Sequence, residues 1–313
     1  SLEKKSLINI NDEKQSRLNI QNIETYPIHK LSDAQELSFN SINKKLLDRD
    51  VCLLHGVTSS GKTEIYIKLI EQELKKGRQV LYLLPEIALT IQIIKRLKKH
   101  FGNLVGISHS NLNNSERVEV WKSVHNESSA DNQFSIILGA RSSLFLPFNN
   151  LGLIIIDEEH DPSYKQQQPS PRYHARDSAI YLATIHNAKV LLGSATPSME
   201  SYYNARNDKY GFVELHTRYS DIKLPKINTI DIRKGYLKKE MQGFFSNELI
   251  NEISVQLNKN KQIILFQNRR GYSKVLSCNS CGQSVSCKYC SVSLTFHKLN
   301  NNLRCHYCGY IAY

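Results

Sequence analysis

A glycine-bounded loop followed by lysine and threonine is the first feature of this sequence that predicts chemistry. Gly56, Gly61, Lys62 and Thr63 match the pattern G-x-x-x-x-G-K-[ST], which binds phosphate where it joins a strand to a helix. An apolar run at 51–54 precedes the loop, and apolar residues at helical spacing follow it. Backbone N–H groups at the start of such a helix cradle phosphate oxygens. The predicted nucleotide-binding residues are Gly56, Val57, Thr58, Ser59, Ser60, Gly61, Lys62 and Thr63.

Within this loop, two side chains are expected to act directly on a nucleotide. Lys62 would reach the β- and γ-phosphates as a point charge, and the Thr63 hydroxyl would bind Mg²⁺. A second Mg²⁺ contact is predicted at Asp157, which ends the apolar run 153–156. Glu158 would orient a water molecule. His160 alone is typical of a hydrogen-bonded structural histidine, but the arrangement D-E-x-H favours a coupling role.

The apolar runs alternate with segments of helical period. Strands are predicted at 51–54, 79–84, 104–108, 134–138, 153–157 and 189–193, and helices at 33–47, 65–74, 86–101, 115–124 and 173–186. Continuously apolar strands that alternate with helices indicate an α/β fold, with a parallel sheet covered on both faces. Ligands of such sheets bind at the carboxyl ends of the strands.

Gln35 has two interpretations that the sequence leaves open. With Ser32 it forms the pattern of a capping box at the start of the first helix. It also precedes the phosphate loop closely enough to contact an adenine ring.

Three motifs follow one another in the order of superfamily 2 helicases: the phosphate loop, Asp157-Glu158-Glu159-His160, and Ser194-Ala195-Thr196. Together with the segments at 84–90 and 139–143, the residues of these motifs resemble those of the bacterial PriA (primosomal protein N′) family of replication-restart helicases. The resemblance runs from about residue 31 to the end of the sequence. It implies an ATP-dependent 3′-to-5′ DNA helicase that recognises stalled or repaired replication forks and starts primosome assembly. The implied partners are single-stranded and forked DNA, other primosome proteins and single-stranded DNA-binding protein.

The resemblance also implies roles for individual residues and segments. An aromatic-rich loop would couple single-stranded DNA to the ATP site through Tyr164, Tyr173 and His174, and Arg141 would lie along the DNA strand. Without the resemblance, this segment is equally typical of a surface loop in which Tyr173 packs at a helix start. The implied architecture is a RecA-like ATP-binding lobe at 31–222, the start of a second RecA-like lobe at 223–276 and a zinc-binding module at 277–313, after a linker or upstream remnant at 1–30.

In the second lobe, strands are predicted at 227–232 and 262–266, and a helix at 246–258. An arginine motif of the type Q-x-x-G-R-x-G-R does not occur in the sequence. Such arginines stabilise the charge that develops in phosphoryl transfer. We therefore expect this chain alone to hydrolyse ATP poorly.

Six of the seven cysteines form C-x-x-C pairs, whereas Cys52 in the first strand is expected to be a buried apolar residue. Paired thiolates at this spacing are typical of tetrahedral zinc sites. The family resemblance implies two zinc ions with nested ligands. Cys287, Cys290, Cys305 and Cys308 would complete one site, whereas Cys278 and Cys281 would need a further pair beyond residue 313.

Charge and composition limit the class of partner. The formal net charge is +12, which favours a polyanion such as nucleic acid, although solvated lysines of a basic proteome would give the same excess. The sequence has neither a long apolar run nor a signal-peptide pattern, so we expect a cytoplasmic protein without a membrane partner. The first residue, Ser1, and the end shortly after a cysteine pair suggest a fragment. A zinc-dependent DNA-binding assembly factor with a dispensable ATPase is the alternative function.

Overall fold

The computed structural model describes residues 24–85, 91–109, 112–125, 133–218, 226–266, 276, 284–289, 293–305 and 308–312. The chain divides into two compact units, Ser1–Leu224 and Pro225–Tyr313.

A seven-stranded parallel sheet organises the first unit, and six of its strands are predicted from the sequence. The strands of this unit are β1 (Val51–Gly56), β2 (Gln79–Leu83), β3 (Val105–Ser108), β4 (Ile136–Gly139), β5 (Leu151–Asp157), β6 (Lys165–Gln166), β7 (Tyr173–His174), β8 (Lys189–Ser194) and β9 (Gly211–Leu215). The large sheet has the order β3-β4-β2-β5-β8-β1-β9, and β6 and β7 form a separate antiparallel pair. Strands β5, β8 and β1 are inner strands of a sheet that is covered on both faces, which explains why they are almost continuously apolar.

Helices cover both faces of this sheet. They are α1 (Asp33–Asp48), α2 (Lys62–Lys75), α3 (Ile91–Phe101), α4 (Asn114–Val124), α5 (Ala175–His186) and α6 (Met199–Arg206). One core cluster joins α1, α2 and α3 to residues such as Leu54, and the other joins α4, α5 and α6 to residues such as Leu53. Neighbouring residues of one strand enter opposite clusters because successive side chains of a strand point to opposite faces. The predicted α/β layering is therefore confirmed.

Most predicted elements of this unit form within two residues of their expected bounds. The helix predicted near 173–186 forms as α5, which begins two residues later because Tyr173 and His174 pair with Gln166 and Lys165. The backbone of residues 173 and 174 pairs with the strand at 165–166, so these two residues do not extend the helix. Four described elements of this unit, β6, β7, α6 and β9, were not predicted.

The described part of the second unit has four elements before its cysteine-rich part: α7 (Ile232–Leu237), β10 (Met241–Gln242), β11 (Phe245–Ser246) and α8 (Asn247–Asn258). The predicted helix at 246–258 is confirmed, with Ser246 as its N-cap. The predicted strands at 227–232 and 262–266 are wrong, since neither segment pairs and Ile264 is 93% exposed. An apolar run becomes a strand only where a neighbouring strand satisfies its backbone, and the described part of this unit offers none to these segments.

The cysteine-rich part is a small antiparallel sheet of β12 (Thr295–His297), β13 (Asn302–Arg304) and β14 (Ile311–Ala312). Leu294, Cys287 and Cys305 are buried beneath it. None of the helices in the described ranges has the length and apolar character that crossing a bilayer requires.

The capping box of α1 gives a test of local stability. The Ser32 hydroxyl accepts from the Gln35 backbone N–H, and the Gln35 side-chain oxygen accepts from the Ser32 N–H at 2.9 Å. Ser32→Ala should lower the free energy of unfolding of the first unit by about 1 kcal/mol. Ser41→Ala, at an exposed position of α1, should leave it unchanged or raise it slightly. Urea unfolding followed by the fluorescence of Trp121, the chain's single tryptophan, measures both, and equal stability of the two variants would contradict the capping role.

Candidate functional site

The carboxyl ends of three adjacent strands bring the predicted motifs together. In the sheet, β8 lies between β5 and β1, with Asp157 opposite Gly193 and His55 opposite Ser194. The phosphate loop follows β1, the acidic cluster follows β5, and the S-A-T segment follows β8. The three motifs therefore meet at one edge of the sheet, where parallel sheets bind ligands.

In the phosphate loop, the lysine side chain bonds to the backbone of the loop's first glycine. Lys62 is largely buried, and its ammonium donates to the Gly56 carbonyl at 2.8 Å. Gly61 has a φ of +82°, and a Cβ there would lie 2.1 Å from the Gln35 amide nitrogen. The Ser60 hydroxyl is buried and finds no partner among the described residues. An orphaned hydroxyl beside a lysine and the N-terminus of α2 fits the oxygens of a phosphate.

Gln35 links α1 to this loop. Its side-chain oxygen serves the capping box, and its amide nitrogen donates to the Ser60 carbonyl at 3.2 Å. The capping interpretation is present in the structure, whereas adenine contact by Gln35 stays a prediction.

Asp157 is held by hydroxyl donors from two elements. Tyr66 on α2 donates to one carboxylate oxygen at 3.1 Å, and Tyr82 on β2 donates to the other at 3.2 Å. Burial raises the pKa of Asp157, as does the charge of Glu158, while Lys62 and the two tyrosine hydroxyls oppose the rise. A cation beside this carboxylate would favour its charged form, so the donor set fits Mg²⁺.

Beyond β5 the chain turns sharply at Glu158, whose φ is +47°. The Glu158 side chain is partly exposed at the sheet edge, whereas that of the next residue, Glu159, is buried. A left-handed backbone at a residue other than glycine is uncommon and is concentrated at functional sites. This turn directs the carboxylate that the sequence assigns to water orientation away from the core.

His160 connects the acidic cluster to the S-A-T segment. Its Nδ1 lies 2.8 Å from the Ser194 hydroxyl, and its Nε2 lies 3.4 Å from the Thr196 hydroxyl. Glu158 and His160 approach each other to 3.8 Å. The geometry supports the predicted coupling role, because a shift of one segment would move the other.

Glu159 was not assigned a role from the sequence, although it is the most heavily bonded residue of the acidic cluster. Its carboxylate accepts from the Ser198 backbone N–H, from the Ser198 and Ser201 hydroxyls, and from Arg176 at 3.3 Å. Arg176 also donates to both serine hydroxyls. The network joins the end of β5 to α5 and α6. Two features of the sequence could have indicated this network: a second glutamate in the acidic motif, and an arginine at the start of a helix downstream.

The residues expected to face DNA differ in their surroundings. Tyr164 is 1% exposed and donates to the Asp157 carbonyl at 2.7 Å, which favours support of the predicted Mg²⁺ ligand over stacking on bases. The Arg141 guanidinium donates to the carbonyls of Ser163 and Lys165. Arg141 therefore fixes the start of the loop between the acidic cluster and α5.

At the other end of this loop, Tyr173 and His174 are partly buried. The Tyr173 ring meets Phe145 edge-on at 5.2 Å. His174 caps α5 through the Arg176 N–H, and burial lowers the pKa of its imidazole. DNA contact by Arg141, Tyr173 and His174 stays a prediction.

In the second unit, the Sγ atoms of Cys287, Cys305 and Cys308 lie within 4.8 Å of one another. Cys287 and Cys308 approach to 3.5 Å, close to the separation of about 3.8 Å that a tetrahedral site with Zn–S bonds of about 2.3 Å requires. Gly309, with a φ of +78°, closes a tight turn by donating to the Cys305 carbonyl. Three of the four predicted ligands are thus brought together and fit zinc. The fourth, Cys290, and the pair Cys278 and Cys281 lie outside the described residues.

Comparison with known families agrees with both sites. A family model described as DEAD/DEAH box helicase matches residues 32–205. The chain belongs to the DEAD/DEAH box helicase family. A second model, the PriA DNA helicase Cys-rich region (CRR) domain, matches residues 287–312 of this helicase-family chain.

Curated relatives of this helicase-family chain are replication restart proteins PriA. The protein of Bacillus subtilis is 42% identical over 90% of this chain and 34% of its own length. The protein of Haemophilus influenzae is 46% identical over 83% of this chain and 34% of its own length. For Rickettsia typhi the identity is 42% over 95% of this chain and 44% of the relative. The resemblance to PriA is confirmed, and the chain spans between about a third and under half the length of these relatives.

Removing Arg176 should leave a buried negative charge without its cation. Arg176→Met is expected to lower the free energy of unfolding of the first unit by about 3–5 kcal/mol, because the Glu159 side chain has no solvent exposure. Lys75→Met, which breaks an exposed pair with Glu71, should cost no more than about 1 kcal/mol. Urea unfolding followed by Trp121 fluorescence compares the two. An Arg176→Met variant as stable as Lys75→Met would contradict the proposed importance of the network.

Metal content tests the cysteine cluster. The purified chain should hold one equivalent of zinc tightly, because four thiolates complete one closed site and Cys278 with Cys281 do not complete a second. Cys305→Ser should lose that equivalent, whereas Cys52→Ala, in β1 of the other unit, should keep it. Elemental analysis after dialysis against a weak chelator gives the stoichiometry. Two tightly bound equivalents would show that the predicted ligand pairing is wrong.

Proposed function

We propose that this chain is the ATP-driven part of a 3′-to-5′ DNA helicase that acts at stalled or repaired replication forks and initiates primosome assembly. One observation supports the proposal. Lys62, Asp157, Glu158 and His160 lie together at the carboxyl ends of the strands, beside the Ser60 hydroxyl, which has no partner among the described residues. Its relatives by sequence are replication restart proteins, which favours this task over other uses of a helicase lobe.

In the proposed reaction, the phosphates of ATP replace the Gly56 carbonyl as the partner of Lys62. Lys62 and the N-terminus of α2 then neutralise charge on the transferred phosphoryl group. Mg²⁺, when bound by Thr63 and Asp157, would supply further charge neutralisation. Glu158 holds the attacking water, since the left-handed turn directs its carboxylate to the sheet edge. His160 contacts Ser194 and Thr196, so a change at the nucleotide site would move these two residues through it.

For DNA, we propose contacts that run along the loop between the acidic cluster and α5. Arg141 holds one end of this loop, and Tyr173 and His174 stand at the other. An aromatic ring and cationic groups suit single-stranded DNA, whose bases stack and whose phosphates carry charge. The net charge of +12 favours binding that is dominated by phosphate contacts. Forked DNA, other primosome proteins and single-stranded DNA-binding protein are the proposed partners.

The cysteine-rich unit is proposed to hold zinc as a structural ion. Cys287, Cys290, Cys305 and Cys308 would bind one ion, and Cys278 and Cys281 would contribute to another in a longer chain. Thiols that stay reduced and a task on chromosomal DNA both favour a cytoplasmic location.

Substitution of the loop lysine tests the nucleotide site. Lys62→Ala should weaken binding of a fluorescent ATP analogue by at least about tenfold, because one full charge that meets the phosphates is lost. Slow ATP hydrolysis by the parent chain should fall to background. Binding of single-stranded DNA, measured by fluorescence anisotropy, should stay within about twofold of the parent.

Lys75→Ala serves as the control for Lys62→Ala, because Lys75 lies at the far end of the same helix and is exposed. It should leave both nucleotide and DNA binding unchanged. Equal nucleotide affinity in Lys62→Ala and Lys75→Ala would overturn the assignment of the loop.

A further inference from the structure

Tyr66 and Tyr82 place two phenol hydroxyls on opposite oxygens of one carboxylate. Tyr66 follows Lys62 by one turn of α2, so the two side chains share a face of that helix. Tyr82 lies on β2, the strand that pairs with β5. The tyrosine rings meet edge-on at 5.7 Å. Two different elements thus converge on Asp157.

Both tyrosines are fully buried, with no exposed surface. An ionised carboxylate offers about four acceptor positions. The hydroxyls of Tyr66 and Tyr82 and the Glu158 backbone N–H, at 3.1 Å, occupy three of them. With three donors in place, the carboxylate is left with little freedom to rotate.

The sheet makes room for one of these hydroxyls. A Cβ at Gly193 would lie 1.8 Å from the Tyr66 oxygen and 2.9 Å from the ring carbon that bears it. Gly193 is the residue of β8 directly opposite Asp157. A phenylalanine at 66 would fill the core without that oxygen. Packing alone would be satisfied by phenylalanine. The space left by glycine at 193 is therefore needed for the Tyr66 hydroxyl, which donates to Asp157.

We propose that Tyr66 and Tyr82 are positioning residues that fix both oxygens of Asp157 for the Mg²⁺ of the bound nucleotide. The inference rests on the proposed function, since it takes Asp157 as the carboxylate that holds Mg²⁺. Partners that orient a ligand of a metal typically change metal affinity by about 10- to 100-fold when they are removed. The hydroxyls should therefore set the Mg²⁺ requirement and contribute less to nucleotide binding in the absence of metal.

Binding of a fluorescent ATP analogue to the chain, titrated with MgCl₂ and repeated in EDTA, tests this inference. Tyr66→Phe and Tyr82→Phe should each raise the Mg²⁺ concentration for half-maximal binding by about tenfold. Their affinities in EDTA should match that of the parent. Tyr210→Phe is the matched control, because Tyr210 is a buried tyrosine that immediately precedes β9, at the amino edge of the sheet. It should leave the Mg²⁺ requirement unchanged.

The outcomes separate this inference from the proposed function. Unchanged Mg²⁺ dependence in both variants, with a parent that needs Mg²⁺, overturns the positioning role alone. A parent whose nucleotide binding is independent of Mg²⁺ overturns the assignment of Asp157 and the positioning role with it.

Gly193→Ala keeps both tyrosines, so it tests the inference even if Tyr66→Phe unfolds, and the double variant at 66 and 193 then tests the pairing. Gly193→Ala should raise the Mg²⁺ requirement with Tyr66 in place, because the new Cβ displaces the hydroxyl. In the Tyr66→Phe background the same alanine should add less than it does alone, since the atom that it meets most closely is gone. Additive effects of the two substitutions would overturn the proposed pairing of Tyr66 with Asp157.

Discussion

When helices cover both faces of a sheet, polar and charged side chains can reach a ligand only at the ends of the strands. Here β5, β8 and β1 are inner strands of the sheet, each with a neighbour on both sides, and their side chains are buried in two apolar clusters. Charged groups at the carboxyl edge have limited access to water, so they must be satisfied by one another or by a ligand. This constraint accounts for both dense networks of the first unit. Asp157 takes two tyrosine hydroxyls, and Glu159 takes an arginine and two serines.

The parts of this edge that the sequence predicts are those with a local pattern. Apolar runs and helical spacing identify the strands and helices, and the glycines with Lys62 identify the phosphate loop. The rule that parallel strands place their carboxyl ends together then brings Asp157 to that loop without knowledge of strand order. The cysteine spacing similarly anticipates the convergence of Cys287, Cys305 and Cys308, which the structure shows.

What the sequence does not reveal depends on contacts between distant elements. Tyr66 and Tyr82 fit the apolar pattern of α2 and β2, so nothing local marks their hydroxyls as partners of Asp157. Glu159 is hidden beside the two carboxylates that the motif explains. The strands expected at 227–232 and 262–266 failed for the converse reason. Their local pattern was suitable, but a strand also needs a neighbour, and the pattern of one segment carries no information about that.

The left-handed backbone of Glu158 lowers the stability of the fold at a position to which the proposed function assigns a catalytic carboxylate. A glutamate in this conformation costs the fold roughly 1–3 kcal/mol, whereas glycine or asparagine adopts it readily. Variants selected for folding alone would accumulate these two residues at 158. Under the proposed function, the glutamate at 158 is a local cost to the fold that is accepted because the turn brings its carboxylate to the nucleotide site. The nucleotide edge is thus a part of this domain that improvement of thermal stability would be expected to degrade.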